Sequence, residues 1–108
     1  MLEQIAPLEL KAKMYRGFAD PTRLSILESL RDGERMVGAI VEATGQSQSN
    51  VSNHLSCLKE CGLVTSRRDG KKIFYSIASH QVQSLLNDGD LVLREIRDCI
   101  RSCAKYDY

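Results

Sequence analysis

The sequence lacks what would announce a membrane protein, a secreted protein or an enzyme. Its longest uncharged apolar stretch, Met36 to Val41, is far short of the roughly 20 residues that a bilayer-spanning helix needs. The first residues carry Glu3 and Glu9 with no apolar block leading to a small-residue cleavage site, so no secretory signal is expected and the chain is read as cytoplasmic. Neither charge is in surplus: fifteen basic residues face fourteen acidic ones, for a net charge of +1. A nucleic-acid partner must therefore be argued from where the charges fall. Histidine is limited to His54 and His80, neither with a second histidine at ligand spacing; His54 reads as a helix-face or DNA-proximal residue and His80 as an N-terminal helix residue. There is no Cys-x-x-Cys motif and no legible Cys/His arrangement, which argues against a thiol enzyme. No repeat, low-complexity tract or linker divides the 108 residues, so one domain is expected. A chain this short has little core to spare, and dimerisation would help it.

What is present reads as helices and one hairpin. Leu2, Ile5, Leu8, Ala12 and Tyr15 recur at helical spacing, with Pro7 as a kink or a late start, and this first helix is expected to end near Gly17. Asp20-Pro21 supplies an N-cap and a proline at the first helical position, and Leu24, Ile26, Leu27 and Leu30 give the second helix its apolar face up to Asp32-Gly33. Met36 to Ala43 reads as a short third helix. After the Thr44-Gly45 turn, Ser47 caps a fourth helix running to Cys61, where Gly62 stops it. Helices three and four with their short turn make a helix-turn-helix pattern. Leu63 to Arg68 and Lys71 to Ile77 read as strands joined at Asp69-Gly70. Ser79 to about Ala104 reads as helix interrupted at Asn87-Asp88-Gly89-Asp90.

On the fourth helix Val51, Leu55 and Leu58 share a narrow arc that must face the core. That turns Gln48, Ser49, Asn50, Ser52 and Asn53 outward or to the flanks. Asn and Gln can pair with adenine edges and Ser can reach a base or a phosphate, so the face suits a major groove, although a solvated polar face has the same composition. The hairpin tips the balance. Between Gln46 and Lys72, the basic residues Lys59, Arg67, Arg68, Lys71 and Lys72 outnumber Glu60 and Asp69, which concentrates positive charge beside the polar helix face as phosphate neutralisation requires.

The four cysteines form two pairs, Cys57 with Cys61 and Cys99 with Cys103, each four residues apart. On a helix that spacing sets two sulfurs on one face with Cβ atoms roughly 5–6 Å apart. Together they offer up to four thiolates, a donor set for soft ions rather than magnesium, calcium or manganese. Cys57 and Cys61 lie off the apolar arc, so core packing explains them poorly. Cys99 and Cys103 share a stripe with Ile96 and Ile100, where burial or a dimer contact competes with ligation. A redox or reactive-sulfur sensor using the same thiols stays open beside the metal reading.

The run Ala19-Asp20-Pro21-Thr22-Arg23-Leu24-Ser25-Ile26-Leu27, then Gln48-Ser49-Asn50-Val51-Ser52-Asn53-His54-Leu55, then Cys61-Gly62-Leu63-Val64 and the Arg68-Asp69-Gly70-Lys71 hairpin closely resembles the ArsR/SmtB family of bacterial winged-helix repressors. The resemblance implies a mainly α fold with a small β-hairpin, a winged helix-turn-helix that dimerises through its first and last helices. It further implies a repressor that binds a palindromic operator and is released by an inducer. Gln48, Ser49, Asn50, Ser52, Asn53 and His54 would then face DNA, with Arg67, Arg68, Lys71 and Lys72 on the wing. Cys57 and Cys61 resemble the pair of the family's cadmium/lead-sensing members, in which a third thiolate comes from the C-terminal region of the partner subunit. Here Cys99 or Cys103 would take that part, leaving three-sulfur and four-sulfur coordination both open, with zinc or trivalent arsenic as further thiophilic inducers. The family's other metal sites look absent: helices two and three hold no cysteine, and the last helix holds no Asp/His set of the zinc or nickel type.

Overall fold

Polar caps set where the helices begin. In the computed structural model, which describes residues 7–103, Asp20 Oδ2 accepts the backbone N–H of Arg23 at 3.0 Å and Pro21 opens helix α2 (Pro21–Ser29). Ser47 Oγ accepts the N–H of Asn50 at 3.2 Å and starts α4 (Gln48–Glu60), while Ser79 does the same for Val82 at the head of α5 (His80–Arg101). Each cap satisfies an amide that the first helical turn leaves without a backbone partner. Helix α1 (Leu8–Ala19) starts directly after Pro7, the late start, and continues two residues past Gly17. At Gly17 the Leu63 side chain packs close, and a Cβ there would meet it at 3.3 Å, so a larger residue would push the leucine aside by a few tenths of an ångström. Helix α3 spans Val37–Thr44, one residue later than expected, and Gly45 closes it with φ 72°.

Helices α2, α3 and α4 pack around one interior formed by Ile26, Leu27, Leu30, Ile40, Val51, Leu55 and Leu58, to which Leu63, Val64 and Leu86 are added from below. Leu24, expected on the apolar face of α2, points instead to the surface. The α3–turn–α4 pair is the helix-turn-helix. Antiparallel strands β1 (Val64–Asp69) and β2 (Lys72–Ile77) follow as a hairpin in the register Val64 to Ile77 and Asp69 to Lys72. The loop is therefore Gly70-Lys71 rather than Asp69-Gly70. Gly70 takes φ 65° while no non-glycine residue described has positive φ, so only one left-handed residue is used, the pattern of a II′ turn. Arg35 adds a one-residue third rung, exchanging backbone hydrogen bonds with Tyr75 at 2.9 and 2.8 Å.

The interruption expected at Asn87–Asp90 is absent: α5 is one continuous helix of 22 residues. Its local composition favours a turn, but Arg31 reaches across from the end of α2 and binds Asn87 Oδ1 and Asp90 Oδ2, each at 2.7 Å. Two residues three apart, held by one guanidinium, are on one helical face. Beyond Leu86 the helix leaves the core, and residues 87–102 are all exposed. Leu93, Ile96 and Ile100 lie on this outer half, 39–47% exposed. Helix α1 also buries no residue, leaving Leu10, Met14 and Tyr15 open to solvent. These two arms account for extents of 46 × 39 × 22 Å and a radius of gyration of 15.4 Å, against about 13 Å for a compact chain of 100 residues. None of the described helices is long and apolar enough to cross a membrane.

Candidate nucleic-acid interface and thiol sites

Burial of Val51, Leu55 and Leu58 fixes the rotation of α4 and hence the side chains it presents. Gln48, Ser49, Ser52 and Asn53 are exposed along one polar flank. Asn50 and His54 differ, being half-buried with partners inside the protein. Asn50 Nδ2 donates to Gln46 Oε1 at 2.8 Å, and His54 Nδ1 accepts from Arg23 Nε at 3.4 Å. The exposed four can meet base edges without first breaking a contact, whereas Asn50 and His54 shape the helix start and its seat on α2.

On the hairpin, Arg67, Arg68, Lys71 and Lys72 are all exposed. They are not equivalent. Arg67 lies over the Phe74 ring at 4.7 Å and is clasped by Glu34, with Nε donating to Oε2 at 2.9 Å and Nη2 to Oε1 at 2.5 Å. The hydrogen bond from Arg67, more than its charge at a distance, holds the Glu34 carboxyl below the ordinary carboxylate range and raises the guanidinium in turn. Arg68, Lys71 and Lys72 have no such acid partner among the described residues. Glu34, just before the Arg35 rung, was not singled out by sequence reasoning. Its 33-residue separation from Arg67 left no local signal.

All four cysteines are free thiols. Cys57 is half-buried on α4 and Cys61 exposed at its C-cap, and Cys61 still donates its N–H to Cys57 O at 3.0 Å, so the pair keeps one-turn spacing. Cys99 is exposed on the outer half of α5. Cys103 falls beyond the helix, its N–H bonded to Ile100 O at 3.2 Å, so the second pair does not keep full α-helical geometry. No group of three or more His, Cys, Asp or Glu side chains among the described residues lies together in a way that could hold a metal ion. Within one described chain, then, the α4 pair does not acquire a third such ligand. A contact missed by sequence reasoning occupies Cys57 instead: Arg23 Nη2 donates to its Sγ at 3.3 Å. Tyr106 and Tyr108 lie outside the described residues.

A helix seated by its apolar arc, a polar flank turned outward and a basic hairpin beside it together define a winged helix-turn-helix DNA-binding protein. The family model "Bacterial regulatory protein, arsR family" matches residues 20–66, which run from the cap of α2 into β1. Among curated relatives, a probable mercury resistance operon repressor of Streptomyces lividans is 49% identical over 75 residues, covering 69% of this chain and 60% of that protein. The regulator CmtR of Mycobacterium tuberculosis is 45% identical over 82 residues, covering 75% of this chain and 67% of CmtR. The NMR structure of that protein, described as a cadmium metal-sensor, superposes with a TM-score of 0.63 at 42% identity over 71% of this chain and 80% of its own. A homodimeric winged helix-turn-helix domain of Mycobacterium bovis Mb0332 gives a TM-score of 0.75 at 39% identity, over 82% of each chain. The chain belongs to the arsR family of bacterial regulatory proteins and is a DNA-binding transcriptional regulator.

Proposed function

We propose that the protein is a homodimeric repressor whose operator binding is weakened when a thiophilic metal ion, cadmium or lead, is held by Cys57 and Cys61 together with Cys99 or Cys103 of the partner subunit. The observation that carries this reading is the placement of a one-turn cysteine pair on α4 and its C-cap, starting three residues past the end of the seven-residue stretch Gln48–His54 that would read DNA. A ligand bound there acts on the element that contacts the operator. The donor chemistry fits: two thiolates at one-turn spacing suit soft ions, and no Asp or Glu carboxylate among the described residues clusters with them. When bound, such an ion would supply strong sulfur bonds that tie together segments otherwise free to move apart.

The α4 pair has no third such ligand among the described residues of its own chain, which favours donors from a second copy. The uncovered apolar faces of α1 and outer α5 supply a surface on which a second copy can dock. The C-terminal cysteines ride on that arm. Homodimerisation of Mb0332 and the metal-related names of the two other relatives point the same way, and the Streptomyces protein adds mercury to the ions worth testing. In this arrangement α4 and the wing grip DNA when the sulfurs are empty, and capture of the ion shifts the spacing of the two reading helices. A coupling of roughly 1–3 kcal/mol would change operator affinity by about 5- to 150-fold.

The test is anaerobic titration of reduced protein with cadmium, lead and mercury, reading the sulfur-to-metal charge-transfer absorbance and the metal stoichiometry per dimer alongside binding to an operator selected in vitro. The wild type should take up metal and release DNA, and Cys57→Ser and Cys61→Ser should each abolish release. A Cys57→Ser protein that responds like the wild type removes the site.

The redox reading draws on the Arg23 contact, since a cationic neighbour is common at reactive thiols. A direct Cys57–Cys61 disulfide is opposed by geometry. Its Cβ atoms must come within about 3.5–4.5 Å, closer than one helical turn allows, so the end of α4 would have to unwind. Oxidant-dependent DNA release without metal uptake would favour it.

A further inference from the structure

Arg23 hydrogen-bonds both to Cys57 and to the DNA-facing run of α4, and its two bonds leave from different nitrogens: Nε to His54 Nδ1 at 3.4 Å and Nη2 to Cys57 Sγ at 3.3 Å. Its own backbone is fixed, because its N–H is the amide that caps α2 on Asp20. The half-buried guanidinium therefore braces the start of α2 against the middle of α4, across 31 and 34 residues of sequence. The brace depends on the sulfur lone pairs of Cys57. A metal cation bound to Cys57 would draw electron density from that sulfur and repel the guanidinium at contact distance, so ligation works against the brace.

We propose that Arg23 is the positioning residue that converts metal capture at Cys57 into movement of the reading helix: ligation takes away the sulfur that holds α2 and α4 in register, and the freed α4 loses its operator-competent seat. This rests on the metal-sensor reading above but assigns a transmission step within one subunit, separate from any bridge between subunits. It makes an unusual demand, that breaking the brace by mutation should imitate the inducer.

The test compares Arg23→Ala and Arg23→Lys with the wild type, using cadmium alone as inducer and the in vitro selected operator. Lysine keeps the charge but replaces the two-nitrogen fork with a single ammonium nitrogen, so it cannot reproduce both bonds in their present geometry. Both variants should take up cadmium with the wild-type stoichiometry and charge-transfer band. Without metal, both should bind operator roughly five- to tenfold more weakly, the net worth of an ordinary hydrogen bond. Adding cadmium should then change affinity by under about threefold, where the wild type changes by roughly 5- to 150-fold. A second pair guards against misfolding at position 23. Cys57→Ser keeps an acceptor for Arg23 and Cys57→Ala does not, so metal-free Cys57→Ser should bind operator at least about threefold more tightly than metal-free Cys57→Ala.

An Arg23→Lys protein with wild-type cadmium response overturns the proposal. So does equal operator affinity of the two Cys57 variants. A salt dependence flattened by about 0.9 per lost phosphate contact in Arg23→Ala, restored by lysine, would make Arg23 a phosphate ligand instead. If the wild type itself neither binds cadmium nor releases DNA, the sensor reading fails first, an outcome plainly distinct from uncoupled variants beside a responsive wild type.

Discussion

The clasp between Glu34 and Arg67 makes a prediction whose sign depends on what the clasp is for. A phosphate approaching the wing must compete with a carboxylate that already occupies two guanidinium nitrogens, at 2.9 and 2.5 Å. Replacing Glu34 with glutamine leaves the size of the side chain almost unchanged and removes the competing charge. If Arg67 then neutralises one phosphate per subunit, the slope of log affinity against log salt should steepen by about 0.9 per site, or about 1.8 for a dimer. Raising salt from about 50 to about 200 mM would then cost the variant about twelvefold more affinity than it costs the wild type. By the same logic Arg68→Ala should flatten the slope by about 0.9 per site, whereas Arg67→Ala should flatten it less, because Glu34 already withholds part of that charge. Fluorescence anisotropy on the selected operator over a salt series reads all three. A Glu34→Gln protein with weaker binding and an unchanged slope refutes the competition and leaves Glu34 as a support for Arg67. The ionisation can be checked independently by NMR pH titration of the Glu34 carboxyl, which should titrate below the ordinary range and move back up in Arg67→Ala. A carboxyl depressed in the folded state stabilises it above the unfolded-state value. That contribution is lost as pH falls through the folded-state value, so acid and not alkali should open the clasp.

Other expectations follow from burial and exposure. Leu58→Ala empties a site 1% exposed where α4 meets the core and should cost roughly 2–5 kcal/mol in denaturant unfolding; a loss under about 0.5 kcal/mol would mean the site collapses or is poorly packed. Asn53→Ala, on the exposed flank of α4, should relax preference at one base pair by about 1–3 kcal/mol, seen as a flattened position in selection from a randomised duplex, while its salt slope stays unchanged. Ile96→Asp on the outer half of α5 should move the protein from dimer to monomer in sedimentation and lower operator affinity with it; a dimer of unchanged strength would place the subunit contact elsewhere.

The caps were legible because they are local: Asp20-Pro21, Ser47 and Gly62 each act on amides or carbonyls within a turn of themselves. The arc of Val51, Leu55 and Leu58 was legible for a similar reason, since helical periodicity alone fixes which side of α4 is buried. The errors arose where distant residues decide. Asn87 to Asp90 carries every local mark of a turn, yet Arg31, more than fifty positions earlier, holds two of those side chains on one helical face. Glu34 on Arg67 and Arg23 on Cys57 are of the same kind. The wing and the thiols could be read as residue types with a purpose, but not the partners that already occupy them. The loop at Gly70 was displaced by one residue because a single left-handed glycine suffices there, where an Asp-Gly turn of the I′ type would need two.

The outer half of α5 bears on how such a regulator could change what it senses. A stretch of sixteen residues contributes no buried side chain to its own subunit, and it extends about 24 Å at the ordinary rise of a helix. Apart from Asn87 and Asp90, which Arg31 binds, substitutions along it cost the fold of one subunit little so long as the backbone stays helical. Under the sensor reading proposed above, donors placed there away from the Ile96 seam can be rewritten with little effect on the reading head, and specificity for a new inducer can be acquired at the tip of a lever while the grip on DNA is left alone.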